Sequence, residues 1–425
     1  MSPPPDTRLS RRAALRAGAA SLTAGVTALT GCSGLPPLGS KVKYGTVQAP
    51  DAGAPKYREW LPAPDAFPDT ADADGGYDVH AYEPPPEDAP AWTRGSVART
   101  LVATQSDYVG VHVDDVDTAV GISSLLESSS AVVLAGDIDR GAVTETIPET
   151  SYEPAGTENG YEIYVRPDDD RVMGVSADGL VFGSGPGARD IVATIAAARR
   201  GDGERYHEVA ADFEALSAGA GSRRWTWLLP GTVRSGDQQA TDTVFWDIVG
   251  RAYAFSHDDD AVYSVRTWLF PEGDEPTVGE VKTALERRAR LRDADAVEVT
   301  VEGRVATMEL AEPVEQFRGD TRTLVVPHVS WRVTDDAAAE TVEFRHEAGD
   351  TVETERLVVK ATNSDEVTDF SVDDDATDFD VGDTVEPGEV LTVSTADIES
   401  GATVRLVYRS ADRNATATLA FREAP

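Results

Sequence analysis

Few stretches of this 425-residue sequence combine the residue types and spacing that chemistry needs. The most conspicuous are acidic triplets: Asp168-Asp169-Asp170, Asp258-Asp259-Asp260 and Asp373-Asp374-Asp375, the last followed by Asp378, Asp380 and Asp383. Carboxylate oxygens at this density suit a hard cation such as calcium, but the ligand spacing of an EF-hand loop is missing. In so acidic a chain they read as solvated loops, and no metal ligand is assigned. Gly183-Ser184-Gly185-Pro186-Gly187 precedes a helical stretch, as a phosphate loop would. It lacks both the GxGxxG spacing and the Walker lysine, so it reads as a strand-to-helix turn. Gly174-Val175-Ser176-Ala177-Asp178 misses GxSxG by one residue and falls on a hairpin instead of a nucleophile elbow. His207-Glu208 opens like a zinc-binding HExxH, but Ala211 stands where the second histidine must be. Trp225 and Trp227 share one strand face. Exposed, they would stack on a sugar or a partner; buried, they are core, which is the reading adopted. Asn414-Ala415-Thr416 is an N-glycosylation acceptor tripeptide. No catalytic residue and no cofactor is assigned.

Cys32 is the only cysteine. That excludes an intrachain disulfide, a cysteine-ligated zinc or iron–sulfur site and blue copper, which needs a cysteine ligand. Its setting gives it another use. Ser10-Arg11-Arg12-Ala13-Ala14-Leu15-Arg16 leads into an uncharged run from Ala17 to Gly31, and Leu29-Thr30-Gly31 immediately precedes Cys32. A spanning helix needs about 20 strongly apolar residues, and this run is shorter and milder. A basic stretch ahead of a short apolar run is the layout of a signal peptide. The Arg11-Arg12 pair resembles a twin-arginine export signal, and Leu29-Thr30-Gly31-Cys32 resembles a lipobox. The resemblance implies export of a folded chain by the twin-arginine translocase, cleavage before Cys32, and a lipid on its sulfur as membrane anchor. Each buried CH₂ of such a lipid contributes about 0.8 kcal/mol, and two acyl chains hold stably where one is marginal.

The chain has 75 acidic and 38 basic residues, a net charge of −37. The signal region carries Asp6 against Arg8, Arg11, Arg12 and Arg16, so removing its net +3 leaves −40. Lysine is confined to Lys41, Lys43, Lys56, Lys282 and Lys360. Such acidic, lysine-poor composition resembles that of proteins from halophilic archaea. At about 1 M salt the Debye length falls to roughly 3 Å, which screens the self-repulsion. Nucleic-acid partners are excluded, because they need basic patches.

The elements that would position these residues divide the chain. Residues 1–31 are the signal and 32–95 a Pro- and Asp-rich spacer behind the lipidated cysteine. Its later part carries Tyr57, Trp60, Phe67, Tyr77 and Trp92, which suit packing onto the body. Residues 96–320 alternate between strand and helix patterns and read as an α+β body of mixed sheet, hairpins and packed helices. Two subdomains splitting near 225–245 would fit the same pattern. Within it, 107–113 reads as a strand and 115–127 as a helix, from Val116, Val120 and Leu125. Hairpins are expected at Asp178-Gly179 and Glu302-Gly303, and a helix over 188–200. Thr277 and Glu280 form a capping box at the start of another helix.

From 322 to 425 short alternating runs replace the helical period, as in an immunoglobulin-like β-sandwich. Val342-Glu343-Phe344-Arg345-His346-Glu347-Ala348-Gly349-Asp350-Thr351-Val352, Val381-Gly382-Asp383-Thr384-Val385 and Leu391-Thr392-Val393 carry a likeness, with Val404-Arg405-Leu406-Val407-Tyr408 closing it. This stretch resembles the β-sandwich module of archaeal type IV pilins. Pilins place a long apolar helix at the N-terminus, whereas here the module follows a lipoprotein-like signal. What carries over is the sandwich fold and a surface setting. The expected function is a lipid-anchored extracytoplasmic surface protein with a non-enzymatic binding or scaffolding role toward a cell-surface protein or glycan. The alternative is a substrate-binding lipoprotein of a transporter, or an exported hydrolase.

Overall fold

The computed structural model describes residues 40–67, 76–85, 97–124, 129–167, 169–231, 245, 248–286, 288–314, 324–362, 370–371, 382–396, 398–411 and 415–424. Arg11, Arg12, Leu29, Thr30, Gly31, Cys32, Asp168, Asp373, Asp374, Asp375, Asp378, Asp380 and Asn414 lie outside the described residues.

Twelve strands make one antiparallel sheet. They are β1 (Tyr77–Tyr82), β2 (Thr118–Ser124), β3 (Ser130–Ala135), β4 (Glu153–Glu158), β5 (Tyr161–Arg166), β6 (Arg171–Val175) and β7 (Gly179–Ser184), then β8 (Trp225–Pro230), β9 (Gly250–His257), β10 (Ala261–Leu269), β11 (Ala296–Glu302) and β12 (Val305–Pro313). Their order in space is β11-β12-β10-β9-β8-β1-β2-β3-β7-β6-β5-β4. Asp178-Gly179 and Glu302-Gly303 turn the β6–β7 and β11–β12 hairpins, as their turn chemistry requires.

Helices cover both faces. On one face α3 (Ala188–Arg200) and α5 (Ala211–Ala220), with the single turn α4 (Tyr206–Val209) between them, bury Ile191, Val192, Ile195, Phe213 and Leu216 against Val79, Ala81, Val120, Val133 and Leu228. Glycine lets α3 approach closely: a Cβ on Gly183 would sit 2.5 Å from the Ala188 carbonyl oxygen. On the opposite face α1 (Val97–Gln105) and α2 (Arg140–Thr146) pack over Tyr82, Ala119, Val132 and Leu134. There α6 (Val278–Leu285) covers Trp268, Val297 and Met308. Thr277 Oγ1 accepts the Glu280 N–H while Glu280 accepts the Thr277 N–H, which is the expected capping box.

Three features differ from the sequence reading. Residues 118–124 are strand β2, not part of a helix. Ala119, Val120, Gly121 and Ile122 are all buried, so a strand covered on both faces shows no alternation, and its apolar positions match a helical period by accident. Residues 107–113 form no strand. Val109, Val111 and Val113 do alternate inward, but the segment is a loop whose valines pack into the body's own core, with the Val113 N–H tying it to His328 of the C-terminal region. Finally, the stretch read as spacer supplies β1, which lies mid-sheet between β2 and β8. Ahead of it Tyr57, Trp60, Leu61 and Phe67 are buried in the body's core.

After the body the chain is all β. One sheet holds β13 (Val329–Asp336), β14 (Thr341–Gly349) and β19 (Val390–Ser394). A small pair joins β15 (Val352–Glu353) to β18 (Thr384–Val385). A second sheet orders β17 (Phe370–Ser371), β16 (Leu357–Thr362), β20 (Thr403–Arg409) and β21 (Thr416–Glu423) in the sequence β17-β16-β20-β21. Trp331, Phe344, Val359, Leu391, Val404 and Leu406 fill one core between them. The architecture is a mixed α and β body with a large antiparallel sheet, followed by an all-β region.

Candidate binding cleft between the body and the β region

The β region docks on the body through buried polar groups. Arg99 of α1, 1% exposed, grips the Asp114 carboxylate through Nε and Nη2 (2.7–3.1 Å). Its Nη1 donates to the Val326 carbonyl at 2.7 Å, so one guanidinium joins both parts of the chain. Burial would raise the Asp114 pKa, but the Arg99 hydrogen bonds and charge hold it below its ordinary value.

Beside it, His328 is fully buried. Its Nδ1 accepts the Val113 N–H (3.2 Å), so Nε2 carries the proton and faces Ser106 Oγ at 3.0 Å. Ser106 in turn donates to the Val102 carbonyl. Desolvation pushes the His328 pKa down to about 3, keeping the ring neutral. A serine nucleophile needs the reverse arrangement, with an unprotonated Nε2 to take the hydroxyl proton. This serine–histidine pair is therefore a docking contact in the geometry seen. Asp350 completes it, accepting the His328 N–H (2.9 Å) and His112 Nε2 (3.1 Å).

A second cluster lies deeper. Asp107 accepts from Arg171 (2.7 Å), Tyr152 Oη (2.8 Å) and Arg166 (3.3 Å). Arg166 reaches across to the Trp331 carbonyl (3.1 Å) and the Glu347 carboxylate (3.3 Å) of the β region. Full burial opposes ionisation of Asp107, and the charges of Arg171 and Arg166 overcome it, holding its pKa below the ordinary value.

Next to this cluster opens a cleft of about 880 Å³. Its two walls differ. The body contributes polar groups from the C-terminal end of α1, from Asp107, and from the strand ends at Arg166, Arg171 and Ser184. The β region contributes Val329, Trp331, Val333 and Asp335 of β13, Leu419 to Glu423 of β21, and Ala424 just after it. Trp331 is 5% exposed, and its indole N–H has no hydrogen-bond partner among the described residues. Phe421 is 62% exposed at the rim.

The residues singled out in the sequence are scattered around this picture. Of the acidic triplets, Asp169 pairs with Arg171 at 3.0 Å, and Asp169 and Asp170 line the cleft. Asp258 is spent on its own turn, accepting the N–H groups of Asp260 (2.9 Å) and Ala261 (2.8 Å) and the Tyr263 hydroxyl. Among the described residues no group of three or more His, Cys, Asp or Glu is placed to hold a metal ion. Gly183 to Gly187 is a strand-to-helix turn, with the Gly185 N–H bonded to the Asp170 carbonyl and Gly187 at φ +76° before α3. Glu208 of the His207-Glu208 pair accepts the Arg205 N–H as a helix cap.

Trp225 and Trp227 are half-buried. Trp225 stacks on Phe255 (4.5 Å between centroids), and Trp227 lies between His80 (5.1 Å) and Tyr253 (5.6 Å). Cross-strand stacking uses these ring faces in the sheet's own packing. The sequence reading missed Asp107, Arg166, His328 and Trp331. A basic residue at each end of the β5–β6 hairpin, flanking the 168–170 triplet, was the one local signal.

No family model matches the chain, and no curated protein matches it. Among solved structures, TP0453 in crystal form III is similar with a TM-score of 0.36 and 9% identity, covering 65% of this chain and 100% of that one. TP0453 in crystal form I gives 0.36 and 9%, covering 63% and 95%.

Proposed function

We propose that the chain is an exported, lipid-anchored binding protein on the extracytoplasmic face of the membrane, whose ligand lies in the cleft between the body and the β region. The cleft carries the binding half of this reading. At about 880 Å³ it falls within the roughly 300–1,000 Å³ of ligand sites, and its mix of apolar wall and convergent polar groups is their usual make-up. The anchoring half rests on Arg11, Arg12 and the Leu29-Thr30-Gly31-Cys32 stretch. In this reading the twin-arginine translocase is the partner during export and the membrane the partner afterwards. The β region is an immunoglobulin-like sandwich that closes the cleft without doing chemistry. Uniformly antiparallel pairing in the large sheet favours this reading over a transporter's solute-binding protein, which repeats parallel βαβ units.

Two measurements test it. Cys32→Ala should release the protein from membranes in soluble form, and a variant that stays fully membrane-bound sinks the anchor. Hydrogen exchange of the soluble variant, with secreted protein and polysaccharide fractions added separately, should show protection concentrated at Trp331 and 419–424. Protection confined to other surfaces removes the cleft from the proposal.

A further inference from the structure

One strand edge borders the cleft and stands apart from three others that are guarded. An exposed edge presents unpaired N–H and C=O groups, and folded proteins blunt it with proline, bulges, charge or cover. The large sheet does so at both ends. Edge strand β4 carries Pro154 and a bulge between Pro154 and Gly156. Edge strand β11 is covered by the 43–45 segment, where Val297 N–H donates to the Lys43 carbonyl and Val297 O accepts the Gly45 N–H. In the β region, Arg166 occupies the Trp331 carbonyl of edge strand β13.

Strand β21 ends its sheet next to the cleft; a bulge at Leu419 interrupts its pairing with β20, and beyond it 420–423 has neither proline nor lysine, its Arg422 being held by Asp335 at 2.9 Å. Its hydrogen-bond phase follows from one contact. The Ala424 N–H donates to the Ala402 carbonyl at 2.7 Å, and Arg422 and Ala420 pair with Val404 and Leu406. Alternation then turns the N–H and C=O groups of Phe421 and Glu423 away from β20.

We propose that the cleft takes an extended polypeptide segment of a partner protein, which adds as a strand to the free edge of β21. This rests on the binding reading above and names its ligand class. The dimensions agree. A strand residue in a packed sheet occupies roughly 160 Å³, from a rise of about 3.3 Å, a strand spacing of about 4.8 Å and a sheet spacing of about 10 Å. A volume of about 880 Å³ therefore holds about five residues. The walls agree too. Alternate side chains of an added strand would face the Val329, Trp331 and Val333 wall and the polar wall around Asp107 and Arg171 in turn. The Trp331 indole N–H, buried without a partner among the described residues, would gain an acceptor there.

The test uses the full mature chain with Cys32→Ala, screened against a phage-displayed library of short random peptides. Enriched peptides should alternate apolar and polar residues. Phe421→Pro removes the outward N–H without touching the β20 ladder, so the protein should melt as before. Its affinity for the best peptide should fall about tenfold or more, while Phe421→Ala, which keeps the N–H, should lose about threefold or less. If Phe421→Pro melts early, Glu423→Pro makes the same measurement from the other outward position. Equal peptide binding by wild type and the proline variants overturns strand addition. So does a dimer that Phe421→Pro abolishes while no peptide is enriched, because the occupant is then a second copy. If no peptide is enriched but a polysaccharide fraction protects the cleft from exchange, the ligand class is wrong and the binding reading stands. If nothing protects it, both fall.

Discussion

Two titrating side chains, His328 buried and Asp78 half-buried, pull the stability of this protein in opposite directions. His328 has its pKa lowered from 6.5 to about 3 by burial. Between those values the unfolded chain binds a proton that the folded one refuses, so this contribution is present above pH 6.5 and is lost as pH falls toward 3. Thermal unfolding followed by circular dichroism should show the midpoint dropping through this window, and His328→Gln should flatten the drop. Asp78 behaves the other way. Burial raises its pKa from 3.8 to about 7, with Arg251 only partly offsetting it. Its contribution is therefore favourable at low pH and is lost as pH rises through about 7. Asp78→Asn should raise the melting temperature at about pH 8 and leave it nearly unchanged at about pH 4; equal shifts at both would show that ionisation is not the cause. Neither residue stood out in the sequence. The Thr277–Glu280 capping box was legible because both partners lie within one turn. The cluster that joins Asp107 to Arg166 and Glu347 is assembled across the fold, and nothing local to Asp107 announces its partners.

Elements that close on themselves were readable, and those that depend on distant cover were not. The β6–β7 hairpin and α3 follow from turn residues and helical period within a short window. Strand β2 was lost because the layers packed on it bury both faces, and the 107–113 loop imitated a strand because the body's own core buries its alternate side chains. The junction between these parts makes its own prediction. Gly349 ends β14 at φ +114°, and a Cβ there would lie 2.3 Å from the His328 carbonyl oxygen and 2.9 Å from the Val329 Cα. Both obstacles are backbone, so they cannot swing aside as a flexible side chain can. Gly349→Ala should destabilise the protein by about 2 kcal/mol or more in urea titration. It should also loosen the docking, read as faster amide exchange at Val113 and Val326 than in the rest of their cores. Faster exchange in the β13–β14 ladder alone would mean that the strain stays within the β region.

For the molecule as a whole, charge and topology set the terms. A net charge of −37, or −40 if the chain is cut before Cys32 as proposed, makes compaction costly where salt does not screen it. The surplus of burial over conformational entropy is small, about 5–15 kcal/mol for a typical domain. Dialysis into dilute buffer should therefore lower the melting temperature, and sodium and potassium chloride should restore it about equally. Restoration by trace calcium alone would reveal a true cation site in one of the acidic triplets. Composition alone carries that expectation, whereas the order of strands was hidden, because no periodicity says which strand lies beside which. The position of β1 has a consequence for how the protein is made. The ribosome delivers residues 77–82 early, but their second neighbour, with Trp225 opposite Tyr82, emerges only after the rest of that half. Until then β1 has β2 on one side and an open edge on the other. The body cannot be completed as a string of separately finished pieces, and a shortened gene starting near residue 96 would leave β2 and β8 each missing the strand between them. Such a sheet is assembled late and whole, with many long-range pairings closed at once, and its refolding should be slow for its size.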